Sequence, residues 1–247
     1  MVAERFDKVK KEFLGLLLAK NALKVASSPD NFFKLKSGRS SPYFINFGLL
    51  NDGESLSMLK KTYSAGAIEA ISKGIFEEFS YVFGPAYKGI NLAALACEGL
   101  HENYKKESFC LYDRKEEKAY GAEAGGSSAE KVIVGAGSFT PGGAMIIVDD
   151  VITTGKAKYD ALEKIALLPQ SKIAGLLLGV DRQERMGDAE KVEEKSAVQA
   201  FQAETGVKTF SILSMKEIYD AVSPSLTPPV RAAWACYARK YGVVQLQ

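Results

Sequence analysis

The run Met145-Ile146-Ile147-Val148-Asp149-Asp150-Val151-Ile152-Thr153-Thr154-Gly155-Lys156-Ala157 constrains the fold more than any other stretch of the chain. Met145 to Val148 are apolar and read as a buried strand, and the pattern then stops at two adjacent carboxylates. A Thr-Thr-Gly turn follows, and a new helix begins. This order puts Asp149 and Asp150 at the carboxyl end of a strand, with the backbone N–H groups of a helix N-terminus just beyond. Open α/β sheets bind ligands at that edge, and helix N-termini bind phosphate there. Two acids can hold vicinal sugar hydroxyls while the turn's hydroxyls and N–H groups hold a phosphate. The local chemistry points to a ribose phosphate. A Walker-B magnesium site would need a Gly-x-x-x-x-Gly-Lys-Ser/Thr loop elsewhere, and the chain has none.

The rest of the chain repeats the strand–turn–helix order. Tyr81-Val82-Phe83 runs into Gly84-Pro85-Ala86-Tyr87-Lys88-Gly89 and a helix through Leu100. Phe109 to Tyr112 runs into a polar stretch over residues 113–130. The strand at 144–150 leads into a helix to about Leu168, and Ile173 to Val180 is apolar before Asp181-Arg182-Gln183-Glu184-Arg185. A helix near 194–204, a strand near 207–212 and two helical segments close the chain. Alternation of this kind predicts an α/β fold with a central, mostly parallel sheet flanked by helices.

Before it, residues 4–20 place Phe6, Val9, Phe13, Leu16 and Leu17 on one helical face. Residues 31–50 alternate around Ser37-Gly38-Arg39-Ser40-Ser41-Pro42 as a hairpin or small β-hood, and Leu56 to Ile71 is helical. No repeat or linker divides the chain, so residues 1–247 are expected to form a single domain, with about 1–50 and part of the C-terminus as a hood. A length of 247 residues suffices for one such core.

A net charge of +2 is too small to suggest nucleic acid or an anionic membrane as partner. No segment reaches the roughly 18 apolar residues of a membrane span. Met1 to Asp7 lacks the apolar stretch of a secretory signal, so the expected location is cytoplasmic. Cys97, Cys110 and Cys236 form no CxxC pair and read as reduced packing residues. The one histidine, His101, closes a helix in a charged tail, which argues against a histidine-based metal centre and a Ser-His-Asp hydrolase.

Val148 to Gly155 resembles the phosphoribosyl pyrophosphate (PRPP) loop of type I phosphoribosyltransferases, a loop that alone names only a superfamily. Four further motifs narrow it. Asp113-Arg114-Lys115-Glu116-Glu117-Lys118-Ala119-Tyr120-Gly121 carries three cations in five residues, enough to clamp a pyrophosphate, and runs into the flexible Gly125-Gly126-Ser127-Ser128. It resembles the mobile catalytic loop of the orotate phosphoribosyltransferase family. Lys36 to Ile45 resembles that family's base-binding hood, Gly84 to Gly89 its pyrophosphate loop, and Asp181 to Glu184 the segment whose arginine supports orotate. Together these motifs span residues 36 to 185 in family order, and the resemblance covers most of the chain.

The resemblance implies transfer of a phosphoribosyl group from PRPP to orotate. Asp149 and Asp150 would hold the ribose, and Val151, Ile152, Thr153, Thr154, Gly155, Lys156 and Ala157 the 5′-phosphate. Lys36, Tyr87, Lys88, Arg114, Lys115, Lys118 and Tyr120 would hold the pyrophosphate, and Phe44, Ile45, Thr153 and Arg182 the orotate. Lys118, Arg114, Lys115 and Asp150 would carry catalysis, with Mg²⁺ held mainly through PRPP and no protein metal site. The partners implied are the two small substrates and a second copy of the chain, the catalytic loop crossing a homodimer interface. A PRPP-binding regulator and a phosphoribosyltransferase for another base are the competing readings. The chain departs from the family in two places. Tyr120 stands where Lys-Asp-His-Gly usually supplies histidine, and residues 127–143 exceed the usual connection.

Overall fold

Residues 2–116, 127–152 and 155–246 are described by the structure, a computed structural model. The first half runs α1 (Val2–Ala19), β1 (Leu23–Val25), β2 (Phe33–Lys34), β3 (Ser40–Ser41), β4 (Tyr43–Ile45), α2 (Gly53–Ser72), β5 (Tyr81–Gly84), α3 (Lys88–Tyr104) and β6 (Phe109–Asp113). The second runs α4 (Ser128–Val132), β7 (Ile133–Val134), β8 (Ala144–Val151), α5 (Lys156–Ile165), β9 (Lys172–Asp181), β10 (Arg185–Gly187) and β11 (Val192–Ser196). It ends with α6 (Ala197–Thr205), β12 (Thr209–Ser214), α7 (Met215–Val222) and α8 (Pro228–Tyr241).

Six strands form the central sheet in the order β12-β9-β8-β5-β6-β7. The first five run parallel, and only the two-residue β7 pairs antiparallel, with Tyr112 opposite Val134. Met145, Ile146, Ile147 and Val148 are all fully buried, as a strand covered on both faces requires. Their side chains alternate between two cores. Ile146 and Val148 join Phe13, Tyr63, Leu100, Leu177 and Trp234, while Met145 and Ile147 join Phe83, Leu111, Leu178 and Phe201.

The structure refines three expectations. The helix expected near 194–204 begins at Ala197, because Val192–Ser196 forms β11 and Ser196 caps α6 in a reciprocal box with Gln199. The long connection over 127–143 is partly regular. Ser127 and Glu130 cap α4 in the same way, and β7 then extends the sheet. The N-terminal hairpin is two ladders, β2 with β3 and β1 with β4, so the strand pairing reaches back to Leu23.

The N-terminal and C-terminal segments meet around Tyr43, whose ring stacks on Trp234 of α8 at 5.3 Å between centroids. His101 lies in the last turn of α3 and pairs with Glu107 at 2.6 Å, both exposed. Packing of α3 on β6 brings Cys97 beside Cys110, and the thiol–thiol hydrogen bond together with burial pushes the Cys97 thiol up. No helix among the described residues is long and apolar enough to cross a membrane.

Candidate active site

Neighbouring parallel strands end at the same edge of the sheet, and four of them carry the motifs. β9 ends at Asp181, β8 at Val151, β5 at Gly84 and β6 at Asp113, in that lateral order. Segments nearly 100 residues apart in sequence, from 84 to 182, thus converge on one rim.

At the end of β8 the two carboxylates are buried, each with about 6% of its residue surface exposed. Asp149 accepts hydrogen bonds from the Asp150 N–H at 2.9 Å and from the Lys158 ammonium at 2.5 Å. Asp150 accepts from the Val151 N–H at 2.8 Å and from Lys88 at 2.7 Å. Tyr63 of α2 donates its hydroxyl to the Asp149 carbonyl at 2.9 Å. Burial holds the Asp149 carboxyl above the usual carboxylate range, and Lys158 opposes that only in part.

The turn then enters α5 through Gly155, at φ +77°. That conformation favours glycine, and a Cβ there would lie 2.8 Å from the Tyr159 ring. Ile152 is buried, Lys156 is exposed and Ala157 is half-buried. Thr153 and Thr154 lie outside the described residues.

The Gly84–Gly89 turn is tight for a visible reason: a Cβ on Gly84 would sit 2.1 Å from the Gly89 carbonyl oxygen. The Ala86–Tyr87 peptide is cis, and the Ala86 N–H donates to the Asp113 carboxylate at 2.5 Å. Lys164 of α5 donates to the same carboxylate at 2.6 Å and to the Arg114 carbonyl at 2.8 Å. Asp113 therefore ties the turn, the root of the cationic loop and α5 together. Tyr87 and Lys88 point outward, with Tyr87 74% exposed. Lys115 lies 5.7 Å from the centre of the Tyr87 ring.

Ala86, Tyr87, Asp113 and Lys115 line an open groove of about 430 Å³ together with Arg114 and Glu116. A second cavity, about 480 Å³, is lined by α1, α2 and α3 and holds none of the motif residues. Its charges are already paired, Lys60 with Glu98 and Glu102. Lys118 and Tyr120 lie outside the described residues.

The hood motif divides by burial. Lys36 and Phe44 are exposed and Ile45 is half-buried, whereas Arg39 and Tyr43 are buried. Arg39 donates to the carbonyls of Arg185, Met186 and Asp188 and lies 4.6 Å from the Tyr241 ring, so it joins the hood to the β10 segment. Arg182 donates to Glu184 at 3.0 Å and to the Tyr43 hydroxyl at 3.3 Å. Burial works against the Arg182 charge, but Tyr43 and Glu184 outweigh it and hold the guanidinium above its ordinary value. Tyr43 donates in turn to Glu184 at 2.6 Å.

Lys158, Lys164 and Trp234 belong to this architecture and are not singled out by the sequence, and Asp113 and Glu184 sit in its motifs without an assigned role. Helical spacing after Gly155 could have flagged Lys158, but nothing in a pattern distinguishes a buried lysine from a solvated one. Among the described residues no three His, Cys, Asp or Glu side chains converge as a metal site. The two rim aspartates already have lysine partners, so the donor set does not fit a cation held by the protein alone.

A mostly parallel sheet flanked by helices, with paired acids and a glycine turn at its carboxyl rim, is the type I phosphoribosyltransferase fold. No family model matches the chain. The chain is 36% identical to the orotate phosphoribosyltransferase of Bifidobacterium adolescentis over 239 residues, covering 93% of this chain and 96% of that one. It is 40% identical to the enzyme of Pseudomonas fluorescens over 213 residues, covering 85% and 90%. The crystal structure of orotate phosphoribosyltransferase from Francisella tularensis superposes with a TM-score of 0.75 at 30% identity, covering 94% of this chain and 99% of that one. The chain belongs to the orotate phosphoribosyltransferase family, and its activity is phosphoribosyl transfer to orotate in pyrimidine biosynthesis.

Proposed function

We propose that the carboxyl rim of the sheet performs this transfer with the sugar on the β8 side, the leaving group on the β5–β6 side and the base under the hood. The observation that carries the reading is the convergence of Asp149, Asp150, Lys88 and the Arg114–Lys115 segment on adjacent strand ends. Asp149 and Asp150 hold the ribose hydroxyls, and the turn from Val151 through Ala157 holds the 5′-phosphate at the N-terminus of α5. Lys36, Tyr87, Lys88, Arg114, Lys115, Lys118 and Tyr120 hold the pyrophosphate. Phe44, Ile45, Thr153 and Arg182 hold orotate.

Orotate N1 attacks C1′ as pyrophosphate departs, through a sugar of oxocarbenium character. No covalent enzyme intermediate is required. The chain contributes position and charge: acids fix the ribose while cations neutralise the leaving group, the charge that grows in the transition state. Mg²⁺, held mainly through PRPP, would add to the neutralisation of the pyrophosphate. Residues 1–247 act as one domain, with about 1–50 and part of the C-terminus as the hood. A homodimer shares the catalytic loop across its interface. The enzyme works in the cytoplasm, where its three free cysteines stay reduced.

The test is a spectrophotometric assay of orotate consumption with PRPP, with and without Mg²⁺, beside calorimetric titration of PRPP into the Asp149→Asn, Asp150→Asn double variant. Magnesium-dependent turnover and weakened PRPP binding are expected. Unchanged affinity would remove the sugar assignment. Sedimentation as a monomer at assay concentration would remove the shared loop.

A further inference from the structure

We propose that Lys158 is a positioning residue of the sugar site, holding Asp149 and the Val151 carbonyl from beneath so that the paired acids can accept a polyanionic sugar phosphate. The inference rests on the sugar assignment of Asp149 and Asp150 made above. Lys158 is the third residue of α5 and is only 5% exposed. Its ammonium donates to Asp149 at 2.5 Å and to the Val151 carbonyl at 2.7 Å. These two acceptors flank Asp150 on the strand, so one side chain closes the strand-to-helix turn from its inner face.

Chain stability alone gives a weak reason for an ammonium there. A buried ion pair contributes little beyond what well-packed apolar side chains of similar size would contribute. The site supplies a better reason. Two adjacent carboxylates repel each other and any phosphate that approaches them, at separations where the low-dielectric rim screens little. Among the described residues two cations pair with them: Lys158 from α5, and Lys88 from α3, which reaches Asp150. Tyr63 from α2 donates to the Asp149 backbone carbonyl and not to its carboxylate.

The two lysines differ in freedom. The Lys88 side chain is 54% exposed and can leave Asp150 for a ligand, whereas the Lys158 side chain is 6% exposed and has no path outward. Lys158 is thus the permanent counter-charge. It also orients Asp149, whose other oxygen is held by the Asp150 N–H. Lys158 touches no substrate in this arrangement and acts through Asp149.

The experiment is steady-state kinetics and PRPP calorimetry on Lys158→Met, Lys158→Arg, Asp149→Asn and the Lys158→Met, Asp149→Asn double variant. Lys158→Met should raise the PRPP KM by roughly 10-fold with kcat within about 3-fold, and Lys158→Arg should recover most of that loss. In the Asp149→Asn background, Lys158→Met should add less than about 2-fold, because residues acting through one contact are not additive. If Asp149→Asn raises the PRPP KM and Lys158→Met leaves it unchanged, the Lys158 role is overturned and the sugar assignment stands. If Asp149→Asn itself leaves PRPP binding unchanged, the sugar assignment falls. Should Lys158→Met not fold, the double variant and Lys158→Arg decide: a double variant matching Asp149→Asn supports the role, and a 10-fold loss in Lys158→Arg overturns it.

Discussion

The two halves of the rim are built on opposite plans. On the side proposed for the sugar, Asp149, Asp150 and Lys158 are buried and their charges are matched within the chain. On the side proposed for the leaving group, Tyr87 and Lys88 are exposed, and exposed Lys115 lies against the Tyr87 ring. The contrast suits the two proposed roles. A ribose phosphate carries the same charge before and after reaction, so a fixed, preorganised cradle serves it throughout. A leaving pyrophosphate gains charge during the reaction. Cations with room to move can follow that charge, and a loop can close over it.

The sharpest way to break this comparison is to remove one lysine from each half. Lys158→Met leaves Asp149 buried without its cation and should cost about 3–5 kcal/mol in urea unfolding. Lys88→Met removes a half-exposed lysine from buried Asp150, where water can take its place, and should cost less, about 1–2 kcal/mol. Equal losses would mean that the two halves do not differ in preorganisation.

Next in size is the leaving-group chemistry. Lys118→Ala should lower kcat by roughly 10²-fold, the effect of losing one transition-state contact, with thermal stability unchanged. Normal turnover in the purified variant would take Lys118 out of the clamp.

A smaller effect should appear in the pH dependence of PRPP binding. Burial raises the Asp149 carboxyl in the folded chain, so protons are taken up earlier on acidification than by an ordinary carboxylate. PRPP affinity should therefore begin to fall at a higher pH than for an unburied acid. Stability responds with the opposite sign: because the folded value lies above the unfolded one, the burden of the ionised acid is relieved as pH falls through the folded value. Asp149→Asn should flatten the binding profile relative to the parent. Parallel profiles would assign the titration to another group.

The smallest change is expected at Tyr120. A phenol donates a hydrogen bond but carries no positive charge. Tyr120→Phe should lose a few-fold in kcat/KM, on the order of one neutral hydrogen bond. Tyr120→His should keep the activity. Identical rates in all three proteins would make the position a loop filler.

The sheet was legible in the chain because its signals are local and repeated. Met145–Val148, Tyr81–Phe83 and Ile173–Val180 are apolar runs of strand length, each followed by a turn and a helix. The sequence places the start of a helix near 194, inside β11, because Val192–Ser196 is mostly charged and shows no strand alternation, although its partner β10 is close in the chain. The hood's first strand, Leu23–Val25, escapes a local pattern for another reason: its partner Tyr43–Ile45 lies about 20 residues on.

By itself the sequence determined the main parallel strands and the helices between them, the acids at the end of β8, the glycine turns and the family, because all of these rest on neighbours along the chain. Only the tertiary structure decided which cation neutralises which acid. Lys158 and Lys88 look alike as residues, yet one is buried beneath Asp149 and the other stands open beside Asp150. It likewise decided that Asp113 ties the Ala86–Tyr87 turn to α5, and that Trp234 stacks on Tyr43. The reason is physical: burial and charge pairing are set by elements packing across the sheet, over separations that no local pattern encodes.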